Sequence, residues 1–297
     1  MSASSVAYEY CQRLIHRVSE SRKTFLTKAS KRRKAHRPTG AATCEALENR
    51  ILLSGSPLTD AYVNDDWAGL TIGVDPDADG PATELGVDAF ASIQDAIDAI
   101  GDDGTVHIHA GTYAEALAYT KPITLSGISG DAADVVINAS GENRGIKITL
   151  SDGDQTISNL TVINAQREGI YLTSAIDNDF NLNNVVITNS GYDGIRAIGV
   201  YPIGSDVKPS NVILNDVNSS HNGSSGISLE YCSSLADTNG IYDQNGKDGI
   251  FIETIYGDVN LTRTNLTHND TGLNTYYTPL GYAIRGDLTL NGVNASS

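Results

Sequence analysis

The chain has 297 residues, enough for one sizeable hydrophobic core or two small ones. Its formal net charge is −16, but residues 1–50 hold 11 of the 20 Lys and Arg and only 4 of the 36 Asp and Glu. The acidic remainder argues against nucleic acid as a partner, because a phosphate backbone would be repelled. The sequence contains no run of 18 apolar residues, so no membrane span is predicted. Its three cysteines are far apart and fit neither a disulfide framework nor a zinc site.

Residues 1–55 form a basic leader. Its basic run at 21–37 is expected to be disordered or weakly helical, with surface anchoring or export as the alternative. The phrase EALENRILLSG at 45–55 resembles the LEPR-XLL motif of large exported bacterial proteins, although Asn49 stands where the motif has proline. The matching residues are Leu47, Glu48, Arg50, Leu52, Leu53 and Ser54. The resemblance implies export to a secreted or cell-surface location.

Residues 56–89 are rich in Asp and Gly and are expected to be a loop-like linker. Within them, DPDADG at 75–80 resembles the first half of a calcium loop, with Asp75, Asp77 and Asp79 at positions 1, 3 and 5. Position 12 is Gly86, so another carboxylate, Glu84 or Asp88, would have to complete the site. Calcium is therefore the predicted cofactor here, with an acidic surface turn as the alternative.

The segment 90–113 predicts a short helix followed by a strand. In FASIQDAIDAI, at 90–100, isoleucines recur at helical spacing after Ser92, a suitable N-cap. In TVHIHAGTY, at 105–113, Val106 and Ile108 alternate as in a strand with one buried face.

A repeat begins at residue 144, where Gly-Ile phrases return with a period near 24 residues. A period of this size is typical of a solenoid, in which each turn contributes short strands to long parallel sheets. The glycine is expected to permit a sharp bend, and the residues one and three positions later are expected to point inward. The glycines are Gly145, Gly169, Gly194, Gly226, Gly249 and Gly272. Turn asparagines are expected to stack; they are Asn164, Asn189, Asn222, Asn245 and Asn269.

Residues 90–297 resemble the pectin-lyase-like superfamily, and the phrase that runs from the capping helix to GTYAE at 111–115 is similar to the opening of its members. The resemblance implies an all-β, right-handed parallel β-helix with a short N-terminal capping helix. It does not fix an activity, because the fold serves lyases, hydrolases, esterases, epimerases and non-catalytic adhesins. The catalytic phrases of the known enzymes are missing from the sequence, and Glu115 is expected to be structural.

The outward positions of the repeat carry the candidate site. At the fourth position after the glycine, Glu230 and Glu253 should lie on consecutive turns, about 4.8 Å apart along the solenoid. Such a pair predicts a raised pKa or a shared cation, and it suits glycoside hydrolysis. At the second position, Tyr171 and Phe251 offer faces to a sugar ring. Asp193 and Arg196 are the further candidates, with a lyase as the reaction they favour.

The sequence thus predicts an exported β-helix that binds or processes an extracellular polysaccharide or cell-surface glycan. The alternative is a non-catalytic structural or adhesive module, whose acidic face is merely solvated. The last phrase of the chain, at 282–297, reads as the start of another turn. A solenoid end needs a cap over its apolar face, so the sequence predicts either a cap without a recognisable pattern or a β-helix that continues in a longer protein.

Overall fold

The computed structural model describes residues 57–150, 152–174, 178–199, 210–276 and 283–296. The basic leader with its export motif lies outside these residues, and its assignment stays a prediction. Within the described ranges, no helix is long and apolar enough to cross a membrane.

The described residues form short strands, one 3-10 turn at Asp65–Trp67 and one α-helix, α1, at Ile93–Ala99. In chain order the strands are β1 Leu58–Val63, β2 Ala89–Phe90, β3 Ile100–Ile108, β4 Gly111–Tyr113, β5 Leu117–Tyr119, β6 Thr124–Gly127, β7 Val135–Asn138, β8 Ile146–Leu150, β9 Gln155–Ile163, β10 Ile170–Ser174, β11 Asp179–Thr188, β12 Ile195–Ile198, β13 Asn211–Asn215, β14 Asn218–Ser220, β15 Ile227–Glu230, β16 Ser234–Thr238, β17 Asp248–Ile252, β18 Val259–Thr262, β19 Asn265–Thr267, β20 Thr271–Thr275, β21 Leu288–Asn291 and β22 Asn294–Ser296.

Every strand pair in the described ranges is parallel, and neighbours in a sheet come from successive turns of the chain. One sheet contains β5, β8, β10, β12, β15, β17 and β20 in spatial order, and we call it the site sheet. A larger sheet runs from β2 through β9 and β11 to β21, and β19 pairs with β22. This topology is the right-handed parallel β-helix that the sequence predicts.

The N-terminal stretch differs from its prediction as a loop-like linker. Strand β1 lies inside the larger sheet between β2 and β3, and it buries Ala61 and Val63 completely. Ala61 and Val63 are buried on either side of the half-buried Tyr62, which is the alternation expected of a strand. The neighbouring Asp and Gly residues concealed it in the sequence.

The capping helix is confirmed. It begins after Ser92, whose side chain accepts a hydrogen bond from the Asp95 N–H, and it buries Ile93 and Ile97. The Glu115 carboxylate accepts hydrogen bonds from the backbone N–H groups of Ile93 and Gln94, at 2.8 and 3.0 Å. A carboxylate that satisfies the free N–H groups of a first helical turn is structural.

The inward columns lie in the predicted register. Ile170 stands opposite Ile146 on one side and Ile195 on the other, and the register continues through Ile227 to Ile250. These five side chains are completely buried, as the apolar period-two pattern predicts.

The repeat glycines are needed for a different reason from the predicted one. None of them has a positive φ. Instead, a Cβ at Gly169 would lie 2.8 Å from the Gly194 carbonyl oxygen, and one at Gly226 would lie 2.7 Å from the Gly249 oxygen. The column is glycine because the backbones of consecutive turns approach too closely for any side chain.

The turn asparagines belong to two adjacent columns rather than one. Asn164 and Asn189 adopt the left-handed conformation, with φ of 61° and 57°. Asn222, Asn245 and Asn269 occupy the next position, where they are buried and bond to one another along the solenoid axis. Amide stacking therefore holds for the second group, and the first group supplies the sharp corner.

An aspartate interrupts the apolar core. Asp237 is paired with Leu214 and Leu261 in an inward column and is 1% exposed. Its carboxylate accepts hydrogen bonds from the Tyr242 hydroxyl at 2.6 Å and the Thr264 hydroxyl at 2.5 Å. Burial raises the pKa of Asp237, and the two hydroxyl bonds only partly offset this effect.

Asp237 should make the protein lose stability as the pH rises. The folded state keeps its proton to a higher pH than the unfolded chain, whose Asp pKa is about 3.9. The contribution is complete below that value and is lost as the pH rises through the raised folded-state pKa. In urea denaturation between pH 4 and pH 8, Asp237→Asn should therefore gain stability relative to the unsubstituted protein as the pH increases. A difference that stays constant with pH would contradict this prediction.

Asn245→Ala should destabilise the β-helix by about 2–4 kcal/mol, because buried polar groups lose their partners. The side-chain Oδ1 of Asn245 accepts a hydrogen bond from the Asn222 backbone N–H at 3.1 Å, and its Nδ2 donates one to the Ser219 backbone carbonyl oxygen at 3.1 Å. Urea denaturation measures the change. Asn143→Ala, at an exposed turn position, is the matched control and should change stability by less than about 0.5 kcal/mol. Equal effects of the two substitutions would refute the structural role of the asparagine column.

Candidate functional site

The candidate site lies on the outer face of the site sheet. Tyr171, Arg196, Ser228 and Phe251 stand opposite one another on β10, β12, β15 and β17, in the outward column that the sequence predicts. Around the last three strands is an open depression of about 190 Å³, which we call the cleft. Its lining includes Tyr192, Asp193, Arg196, Glu230, Asp248 and Phe251.

An arginine joins two carboxyl groups in the cleft. The Arg196 guanidinium donates a hydrogen bond to the Glu230 carboxylate, and its Nη1 lies 3.9 Å from Oδ2 of Asp193. All three side chains are largely buried, with exposed fractions of 24% for Arg196, 16% for Glu230 and 3% for Asp193. The Arg196 Nε is buried and has no hydrogen-bond partner within the described part of the chain.

Both of these carboxyl groups hold their protons more tightly than usual. Burial raises the pKa of Glu230; Arg196 opposes this effect, and the charge of Glu253 adds to it. Burial also raises the pKa of Asp193, against the hydrogen bonds from the Ser225 N–H and the Ser224 hydroxyl. The raised pKa values favour proton donation at a higher pH than free carboxyl groups allow.

The structure brings together most of the predicted site residues. Asp193, Arg196 and Glu230 meet directly, and Glu253 lies close enough to Glu230 to influence its pKa. The carboxylates do not form an isolated stacked pair, because Glu230 turns toward Arg196. Glu253 instead accepts a hydrogen bond from the Tyr231 hydroxyl at 3.5 Å.

Of the two predicted sugar platforms, only Phe251 lines the cleft. The Arg144 guanidinium lies 3.9 Å from the ring centroid of Tyr171 and covers that face of the ring. Such a contact stabilises the arginine and removes the face from ligand binding. Tyr192, which the sequence reading missed, lines the cleft and is 41% exposed.

Asp193 was predicted from the sequence, but the column to which it belongs, immediately before the repeat glycines, was not recognised. It contains buried acids: Glu168, Asp193 and Asp248 precede Gly169, Gly194 and Gly249. Glu168 is bound by Nε of Arg144 at 2.9 Å and by Nη2 of Arg167 at 3.1 Å. Counting backward from each glycine, as well as forward, would have revealed this column.

Two of the three predicted calcium residues, Asp75 and Asp77, use carboxylate oxygens to accept hydrogen bonds within their own turn. Asp75 accepts hydrogen bonds from the N–H groups of Asp77 and Ala78, and Asp77 accepts one from Ala82. Asp88, a suggested completing ligand, accepts N–H bonds from Thr83 and Glu84. Among the described residues, no group of three His, Cys, Asp or Glu is arranged to hold a metal ion. Calcium at Asp75, Asp77 and Asp79 stays a prediction.

Comparison with known proteins shows that this chain is similar in fold to several solved structures. No protein-family model matches the chain, and no curated protein matches it. Similar solved structures include pectin methylesterase PemA from Erwinia chrysanthemi, 13% identical, with a TM-score of 0.43 over 81% of this chain and 90% of that one. The pectin methylesterase of Aspergillus niger is 15% identical, with a TM-score of 0.43 over 82% and 86%. A pectate lyase is 13% identical, with a TM-score of 0.43 over 73% and 68%. Sequence identities and TM-scores this low do not indicate the activity of this chain.

Arg196→Gln should raise the pKa of Glu230 further, because the variant removes the positive charge that opposes proton binding. Carbon NMR titration of the glutamate carboxyl groups measures the midpoint. Arg167→Gln is the matched control. It removes an equal charge, but Arg167 pairs with Glu168, so the titration midpoint of Glu230 should stay unchanged. An unaltered Glu230 midpoint in Arg196→Gln would show that the ion pair does not control this carboxyl group.

Proposed function

We propose that this protein is exported and cleaves an extracellular polysaccharide or cell-surface glycan, bound in the cleft of the site sheet. The observation that carries the proposal is the carboxyl group of Glu230, with its raised pKa, beside Arg196 and Glu253 in an open cleft. Phe251 and Tyr192 add aromatic surface for sugar rings. Export rests on the basic leader and the LEPR-XLL-like phrase at 45–55.

The proposed reaction is acid–base hydrolysis of a glycosidic bond. Glu230 donates its proton to the bridging oxygen as the bond to the anomeric carbon breaks. A water molecule gives its proton to Glu253 and its hydroxyl to the anomeric carbon. Arg196 orients Glu230, and Asp193 holds Arg196 from the opposite side. These roles use two carboxyl groups with different environments, the usual arrangement for this chemistry.

The second candidate function is a non-catalytic structural or adhesive surface module. It is favoured by the ion pairs, which also tie consecutive turns together: Arg196 joins β12 to β15, and Arg144 of one turn binds Glu168 of the next. In this function the same side chains would serve only to stiffen the rod.

Glu230→Gln should reduce cleavage by about 100-fold or more, because glutamine cannot donate the required proton. The assay follows new reducing ends, and the ultraviolet absorbance of unsaturated ends, across neutral, acidic and amino-sugar polysaccharides, with calcium and with chelator. Glu142→Gln is the matched control at an exposed turn four strands away from β17, and it should retain full activity.

Cleavage should also decline as the pH rises through the raised pKa of Glu230, since the acid must be protonated. Absence of products across the panel from the folded protein would refute hydrolysis and leave the structural module. Unsaturated products that require calcium would replace hydrolysis by a lyase reaction.

A further inference from the structure

The cleft has an excess of negative charge. Two cations, Arg196 and Lys247, face four carboxyl groups, so the excess is two negative charges when all are ionised and one when Glu230 carries the proton that the proposed reaction requires. The carboxyl groups are those of Asp193, Glu230, Asp248 and the adjoining Glu253. Because this excess lies in a partly enclosed depression, it attracts cations more strongly than the same charges spread on an open surface.

Arg196 is already paired with carboxyl groups of the protein. It binds Glu230 and lies 3.9 Å from Asp193, so its charge is largely neutralised. Lys247 approaches the Tyr192 ring, with its Nζ 5.9 Å from the ring centroid. The carboxylate of an acidic sugar would therefore encounter a guanidinium that is already neutralised by Glu230 and Asp193, together with an excess of negative charge. Repulsion of this kind disfavours uronic acid polymers.

Asp248 begins strand β17 and Glu253 directly follows it, and both carboxyl groups accept hydrogen bonds from uncharged side chains. Asp248 accepts a hydrogen bond from the Asn274 amide at 3.1 Å, and Glu253 accepts one from the Tyr231 hydroxyl at 3.5 Å. Neither takes part in an ion pair with another described residue. Phe251 lies between them in sequence and lines the cleft. An apolar ring together with nearby carboxylates that lack a cationic partner matches a ligand that combines an apolar face with positive charge.

We propose that the cleft selects a glycan of amino sugars with free ammonium groups, whose ring packs on Phe251 while its ammonium groups bind Glu253 and Asp248. Sugar rings present an apolar C–H face to aromatic side chains, and charge-assisted hydrogen bonds from ammonium to carboxylate fix the orientation. The inference rests on the proposed function and names the substrate class for the same site.

The test is calorimetric titration of the full chain with hexamers of glucosamine, N-acetylglucosamine and galacturonic acid. The glucosamine hexamer should bind at least tenfold more tightly than the other two. Glu253→Gln should weaken this binding by about tenfold, as expected for loss of one hydrogen bond to a charged group. Asp248→Asn should act in the same direction, and circular dichroism would check that this more buried substitution leaves the fold intact.

Glu142→Gln, about 19 Å away along the solenoid, removes an equal charge and should leave the affinity unchanged. A hexamer of lysine controls for charge alone and should bind more weakly than the glucosamine hexamer, without sensitivity to Glu253→Gln.

Three results would overturn the inference. The N-acetylglucosamine hexamer could bind as tightly as the glucosamine hexamer, or the galacturonic acid hexamer could bind more tightly than it. The lysine hexamer could also bind as tightly as the glucosamine hexamer and lose as much affinity in Glu253→Gln. Each of the first two leaves a glycan-binding cleft, and so leaves the proposed function standing. No binding of any glycan hexamer, together with no cleavage across the polysaccharide panel, would refute both.

Discussion

The structure depends on hydrogen bonds between parallel strands of consecutive turns, which hold each residue directly beside its equivalent in the next turn. Ile146 donates to the Gly169 oxygen, and Ile170 donates in the same way to the Gly194 oxygen, both at 2.9 Å. Because this contact recurs once per turn, each column along the axis experiences one fixed environment. Columns in the interior are therefore apolar, with Asp237 as the exception noted above, and the column of close backbone approach is glycine.

Outward columns escape this constraint, and the candidate site lies there. Arg196, Ser228 and Phe251 share one column yet differ completely in character. Residues separated by 32 and 23 positions in sequence thus become direct neighbours on a rigid sheet. A site built on such strands is held more precisely than one on loops.

The sequence allowed the fold and the outward columns to be predicted because both follow from the repeat and its period of two. Even the interval of 32 residues before Gly226 leaves Ile195 opposite Ile227. The pairing of Glu230 with Arg196 was not predictable, since it runs diagonally between columns and depends on side-chain direction. Asp237 was equally hidden, because an aspartate in a strand reads as an outward residue until its two hydroxyl partners are seen.

Asp237 and Glu230 show why a raised pKa alone does not mark a functional residue. Burial raises both pKa values. Asp237 is 1% exposed, and hydroxyl groups within the core bind both of its oxygens, so no ligand reaches its proton. Glu230 opens to a cleft and lies against a guanidinium whose Nε has no partner among the described residues. A purely structural rod would gain stability from a neutral residue at position 230, because buried carboxylates cost desolvation energy. Access to a ligand is therefore the property that distinguishes Glu230 as the candidate acid.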